Sequence, residues 1–201
     1  MKKAVGEYQH VTLMQKTIDI GKRSDISWIS SETTDRYNHI VIANGMNAEA
    51  YQANPIVTLN HDYSAAPIGR SIWQKQASNH KNVRGVQALT FYPERPDQFD
   101  GPWPPDEVFA LISSGLLNAK SIGFLPLGVI HPTNPGDPFI ITDWALIEYA
   151  VGVLPVNPDA TIIRVNKTIK ASTPPPVAVS LTSEQISEII QNCLDKLLGR
   201  I

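Results

Sequence analysis

The chain has 201 residues, of which 42% are hydrophobic and 18% are charged, and its formal net charge is -2. This length and composition predict one globular domain with a hydrophobic core, plus an appendage. The nearly balanced charge gives no electrostatic reason to expect nucleic acid or an anionic membrane as a partner.

Cysteine content and hydropathy exclude proteins held together by internal disulfides or cysteine-based zinc clusters, and proteins with membrane-spanning helices. Cys193 is the only cysteine, so these 201 residues form no internal disulfide and no cysteine-based zinc cluster. No apolar run approaches the roughly 20 residues needed to span a bilayer. The basic start, Met1-Lys2-Lys3, leads into no signal-peptide core. We therefore expect a soluble protein.

Residues 1–167 have the pattern of a mainly β domain. Short segments rich in β-branched and apolar residues alternate with Gly, Pro and Asn. These predicted strands cover 39–43, 55–59, 86–91, 121–125, 139–142 and 161–165. Helices are predicted at 47–52, with Asn47 as N-cap, and at about 105–114, with Gly115 as the stop. Many strands and few helices predict an α+β fold built on a closed or nearly closed β-barrel.

Composition changes after residue 167. The segment 168–180 contains three consecutive prolines and is predicted to be an extended linker. Within 181–201, apolar residues recur at helical spacing, which predicts an amphipathic helix. A lone helix of this length is marginal in water, so we expect it to associate with a second copy, with another protein or with its own domain.

Three residues could form a hydrolytic site, which needs a nucleophile, a base and a group that orients the base. His61 ends an apolar strand segment, Ser121 opens another, and Glu148 lies in an apolar stretch where a carboxylate needs a partner. Each has a structural alternative. His61 could be an ordinary strand-end histidine, Ser121 a structural serine, and Glu148 the ion-pair partner of Arg36 or Arg70.

Five segments, in order along residues 31–160, resemble the caudovirus prohead protease family, the HK97-type capsid-maturation serine proteases. The resemblance lies in an early Asp-Arg segment, an Asn-Pro-hydrophobic…His-Asp segment, a Pro-Ile-Gly, a Ser-hydrophobic-Gly-Phe segment, and a closing Glu…Pro-x-Asn-Pro-x-Ala. They occupy 31–36, 54–62, 67–69, 115–124, and 148 with 154–160. The chain departs from the family pattern at Tyr149-Ala150, where Val-Ser is typical, and at Val156, where alanine is usual.

The resemblance implies a fold, a site and an activity. It matches His61 to the catalytic histidine, Ser121 to the nucleophile and Glu148 to the third member, with Asp62 or His39 as alternatives for that third position. The family is related in fold to herpesvirus assembly proteases. It acts inside the procapsid, in the host cytoplasm, and cuts scaffold or capsid-protein segments and commonly itself. No cofactor or metal is implied.

Two other functions remain as alternatives. A non-catalytic capsid assembly protein would keep the same barrel, but its His61–Ser121 geometry would be loose. A metal-dependent hydrolase could use His61, Asp62 and Glu148 with another histidine, although no His-Glu-x-x-His or comparable spacing of ligands is present.

Overall fold

The structure is a computed structural model, and it describes residues 17–163. Several predictions concern other parts of the chain. The linker at 168–180, the amphipathic helix at 181–201 and their boundaries all lie outside the described residues.

The described residues are mainly β, with few helices, so the predicted α+β class is confirmed. Nine strands and two α-helices follow one another along this part of the chain. They are β1 (Ile18–Asp19), β2 (Ser24–Ser31), β3 (His39–Val41), β4 (Met46–Asn47), α1 (Glu49–Ala53), β5 (Ile56–Leu59), β6 (Gly69–Ser78), β7 (Arg84–Phe91), α2 (Pro104–Ser114), β8 (Ala119–Ile130) and β9 (Phe139–Gly152).

The strands form one sheet whose order is β1-β2-β7-β6-β5-β9-β3. Strand β9 also pairs with β4 and β8. Its pairing with β3, β4 and β5 is parallel, whereas its pairing with β8 is antiparallel. Strand β9 therefore has neighbours on both edges and organises this half of the sheet.

The sheet is not closed into a barrel, so the closed form of the predicted closed or nearly closed barrel is wrong. Strands β2 and β8 form no ladder with each other. The segment 160–163 lies between them and makes only isolated bridges, Ser27 with Ile162 and Ala119 with Thr161.

The predicted helices are present with shifted starts. Helix α2 covers the predicted 105–114 and begins one residue earlier, and Gly115 ends it in the left-handed conformation at φ 85°. Helix α1 begins at Glu49, two residues later than predicted. The Asn47 side chain nevertheless accepts a hydrogen bond from the Glu49 amide at 2.9 Å, so Asn47 still supplies an oxygen to the helix start.

The core lies between the sheet and α2. Trp144, Leu146 and Tyr149 of β9 are buried there, together with Val86 of β7 and Ile112 of α2. Tyr149 and Glu148 point to opposite faces of the sheet, because successive residues of a strand alternate. A register shift in the β8–β9 ladder separates Glu148 from Leu146, so that Leu146 and Trp144 lie on the Tyr149 face.

We predict that Gly45→Ala destabilises the fold by at least about 2 kcal/mol. A Cβ at Gly45 would lie 1.7 Å from the carbonyl oxygen of Thr142 and 2.6 Å from its carbonyl carbon, so backbone rather than a flexible side chain would have to move. Urea unfolding of the full chain measures the effect. Gly21→Ala is the matched control, because the nearest atom there is the Asp19 carboxylate at 3.6 Å. Equal unfolding midpoints for the two variants would contradict the prediction.

Candidate active site

His61 lies in a tight turn directly after β5. Asn60 and His61 both adopt the left-handed conformation, at φ 54° and 58°. The Asn60 amide donates to the Val151 carbonyl at 2.8 Å, and the Asp62 amide donates to the Leu59 carbonyl at 3.0 Å. These bonds fix the turn against β9. They leave the His61 side chain about one-third exposed at the sheet surface, with a relative accessibility of 34%.

Glu148 is a buried carboxylate whose partners include the His61 imidazole. Its Oε1 lies 2.6 Å from His61 Nδ1, and its Oε2 accepts a hydrogen bond from Thr58 Oγ1 at 2.7 Å. The Tyr63 hydroxyl also donates to Oε1, at 3.4 Å. Glu148 is 1% exposed, so this set of donors supplies the hydrogen bonds that a buried carboxylate requires.

The contact with Glu148 has a consequence for the chemistry of His61. A carboxylate can only accept hydrogen bonds, so the neutral imidazole carries its proton on Nδ1. The Nε2 atom then has a free lone pair and can take a proton from another group. This is the arrangement that a general base needs, with one nitrogen held and the other available.

Gly123 makes room for the pair. A Cβ at this position would lie 2.2 Å from Glu148 Oε1 and 3.3 Å from the Tyr63 hydroxyl. Gly123 is the residue directly opposite Glu148 in the β8–β9 ladder. Any side chain there would displace the carboxylate that holds His61, so the backbone must approach Glu148 closely.

Ser121 is on the same face of the sheet as Glu148. It lies opposite Ala150 in the ladder, two residues from the Gly123–Glu148 pair, and no register shift intervenes. Ser121 and Glu148 are thus diagonal cross-strand neighbours, whose backbones are typically about 7–8 Å apart. An imidazole can bridge such a distance.

The structure brings His61 and Glu148 together but leaves Ser121 without a hydrogen bond to His61 within the described residues. Ser121 is 7% exposed and is one of the residues that line a cavity. The three predicted site residues therefore share one region of the sheet surface, with one of the two contacts of a triad formed.

The alternative partners lie elsewhere. The Asp62 carboxylate accepts hydrogen bonds from the amide and hydroxyl of Ser64 at 2.8 and 2.6 Å, and these bonds lower the pKa of Asp62. His39 Nδ1 lies 3.8 Å from the Asp35 carboxylate. Arg36 donates to the Pro155 carbonyl. Within residues 17–163, the ion pair of Glu148 is with His61.

Sequence reasoning missed two side chains that contact Glu148. Thr58 is an almost fully buried polar residue. Its position inside an otherwise apolar strand was the one sign in the sequence that it had a buried polar partner. Tyr63 gave no comparable sign, since it is 68% exposed and reaches Glu148 only through its hydroxyl. Burial, followed by the nearby Glu148 carboxylate, raises the pKa of Tyr63.

Lys120, the neighbour of Ser121, is also unexpected because it is fully buried. Its Nζ donates to Asp25 Oδ2 at 3.1 Å, and to the hydroxyls of Thr90 and Tyr92 at 3.0 Å each. Burial lowers the pKa of Lys120, and the Asp25 carboxylate opposes that shift. Because Lys120 points into the core, Ser121 must point to the other face.

We predict that Lys120→Met costs about 3–5 kcal/mol of stability, because it leaves the Asp25 carboxylate buried without its cation. The double variant Asp25→Asn/Lys120→Met removes both charges and should recover most of that loss, since an Asn oxygen can still accept the Tyr92 hydrogen bond. Urea unfolding of both single variants and the double variant measures the coupling. Strictly additive losses would show that the two charges do not stabilise each other.

We also predict that neutral His61 is the Nδ1–H tautomer, which long-range ¹H–¹⁵N correlation spectra distinguish from the Nε2–H form. Glu148→Gln should lower the population of this tautomer, because an amide at the same position can turn its NH₂ toward the ring. His80, an exposed histidine in a turn, serves as the internal control and should be unaffected. An Nε2–H tautomer for His61 in the unmodified protein would contradict the assignment.

The described residues contain no group of three or more His, Cys, Asp or Glu side chains placed to hold a metal ion. Between residues 17 and 163, neither helix has the length and apolar character that crossing a membrane requires.

Comparisons of the chain with protein-family models, with curated proteins and with solved structures find no match.

Proposed function

We propose that the protein is a phage capsid-maturation serine endopeptidase of the HK97-type prohead protease family. The observation that carries the proposal is the 2.6 Å contact between His61 Nδ1 and the buried Glu148 carboxylate, on the sheet face that also carries Ser121. A held imidazole and a serine on the same face of a sheet are the groups that a serine protease needs to activate its nucleophile.

In the proposed mechanism, Ser121 Oγ attacks the carbonyl carbon of the scissile peptide while His61 Nε2 takes the hydroxyl proton. The imidazolium is stabilised by Glu148, and His61 then gives the proton to the leaving amine. A water molecule, deprotonated by the same nitrogen, hydrolyses the acyl-enzyme and restores Ser121. Glu148 keeps its charge throughout, since its other oxygen is held by Thr58.

The mechanism needs a hydrogen bond between Ser121 and His61 that the structure does not contain. Such bonds are often long or poorly aligned in a free enzyme and tighten when substrate is bound. His61 is in a surface turn and about one-third exposed, so its ring can move toward Ser121 without disrupting the core. We therefore propose that the His61 ring reaches Ser121 in the free protein and that bound peptide favours this position.

The proposed substrates are segments of scaffold or capsid proteins and of the chain itself, cut within the procapsid in the host cytoplasm. This part of the proposal rests on the five sequence segments that resemble the family. The same resemblance supports a fold of the herpesvirus-protease and prohead-protease type, with the open sheet between β2 and β8 as a departure from a closed barrel.

A second candidate function is a non-catalytic capsid assembly protein. It is favoured by one observation, namely that Ser121 and His61 are not hydrogen-bonded within the described residues. In this case the buried Glu148–His61 contact would serve stability alone, and no variant of Ser121 would change the length of any partner.

The test is to co-express the wild-type chain or Ser121→Ala with its neighbouring capsid and scaffold proteins and to measure intact masses. We expect serine-dependent shortening of a partner or of the chain itself, and a loss of at least about a thousand-fold in cleavage rate for Ser121→Ala. Ser78→Ala, at the exposed end of β6, is the matched control and should cleave normally. Identical masses for wild type and Ser121→Ala in assembled procapsids would favour the assembly protein.

A further inference from the structure

A cavity of about 170 Å³ lies beside Ser121. Its walls come from β2, from residues 35–41, from β8 and from residues 156–157. These are the elements on either side of the gap where β2 and β8 form no ladder. The open edge of the sheet therefore leads into a space that Ser121 lines.

The cavity walls are mainly apolar. Ile29, Val41, Ile122, Phe124 and Val156 contribute to them. Ile29 and Val41 are buried members of the core, whereas Ile122, Phe124 and Val156 are only partly buried and leave the space accessible. An apolar protein cavity of about 150 Å³ is large enough to bind benzene. The space next to Ser121 therefore fits a side chain as large as leucine or phenylalanine.

Two polar side chains in the walls, Asp35 and Asn157, are already hydrogen-bonded to their surroundings. The Asp35 carboxylate accepts hydrogen bonds from the amides of Tyr37 and His39 at 2.8 and 2.9 Å. The Asn157 side chain donates to the Ser31 carbonyl at 2.8 Å and accepts from the Asp159 amide at 3.0 Å. A cationic substrate side chain would lose its hydration on entering the cavity. The Asp35 carboxylate that it would meet already accepts two hydrogen bonds from its own loop.

We propose that this cavity binds an aliphatic or aromatic side chain of the substrate next to the scissile bond, and so sets the specificity of cleavage. The inference rests on the proposed protease function of Ser121. The edge of β8 is bridged to the segment 160–163 only at its start, at Ala119 and Lys120. A peptide that lies along β8 beyond this point, with its carbonyl at Ser121, would direct one neighbouring side chain into the cavity. Burial of that side chain supplies the binding energy that discriminates between substrates.

The experiment compares peptidyl diphenyl phosphonates that differ only in the side chain next to phosphorus, with alanine, leucine, phenylalanine and lysine analogues. The measured quantity is the rate of inactivation of the full chain, and modification is mapped to Ser121 by mass spectrometry. We expect the leucine analogue to react at least about ten-fold faster than the alanine analogue, and the lysine analogue no faster than alanine. An ethyl fluorophosphonate, which has no such side chain, reports the reactivity of Ser121 itself.

Two variants locate the preference in the cavity. Val156→Phe fills it and should reduce the leucine-to-alanine ratio of rates to near one, whereas Val156→Ala enlarges it and should favour the phenylalanine analogue over leucine. Val153→Phe is the matched control, because Val153 is 80% exposed and does not line the cavity, and it should keep the wild-type ratio.

The possible failures are distinguishable. Suppose that the fluorophosphonate modifies Ser121. A leucine-to-alanine ratio of rates near one in wild type, or a ratio that is unchanged in both Val156 variants, would then overturn only the side-chain pocket. Fastest reaction with the lysine analogue would overturn its apolar character. If the fluorophosphonate does not modify Ser121, the proposed protease function is overturned, and the substrate pocket with it.

Discussion

Strand β9 is paired along both edges, and the rest of the structure depends on this pairing. Its 14 residues join β3, β4 and β5 on a parallel edge to β8 on an antiparallel edge. Glu148 lies in this doubly paired strand, so its carboxylate is buried and needs hydrogen-bond donors from the residues around it. Thr58 and His61 approach from the β5 side, and Gly123 leaves the space on the β8 side.

Two successive residues of β8, Lys120 and Ser121, place different polar side chains on opposite faces of the sheet. Lys120 points into the core, where Asp25, Thr90 and Tyr92 surround its ammonium group. Ser121, the next residue, must then face the Glu148 side. A shift of one residue in the β8–β9 register would take Lys120 away from Asp25, Thr90 and Tyr92, so the buried network also specifies the register. This network accounts for a buried charged residue directly beside the candidate nucleophile.

The sequence was sufficient for the features that depend on local patterns. The apolar spacing of α2, its stop at Gly115, and the strands next to His61 and Ser121 follow from periodicity and turn residues. The strand predicted at 139–142 is only the start of β9 and stops short of Glu148. Strand β2 was missed because half of its residues are serine. Its Asp25 is buried against Lys120 of a distant strand, and no local pattern encodes that pairing. The open gap between β2 and β8 was missed for the same reason, since closure of a sheet depends on contacts between residues far apart in sequence.

The central claim is that Ser121 is a nucleophile activated by His61. The rate at which an alkyl fluorophosphonate modifies the full chain, with the modified residue mapped by mass spectrometry, tests it most directly. The reaction joins Ser121 Oγ to phosphorus as fluoride leaves, and it needs no knowledge of the natural substrate. We predict that Ser121 is modified and that the rate is at least about a hundred-fold lower in His61→Asn. Modification of another residue, or a rate that is equal in both proteins, would contradict it.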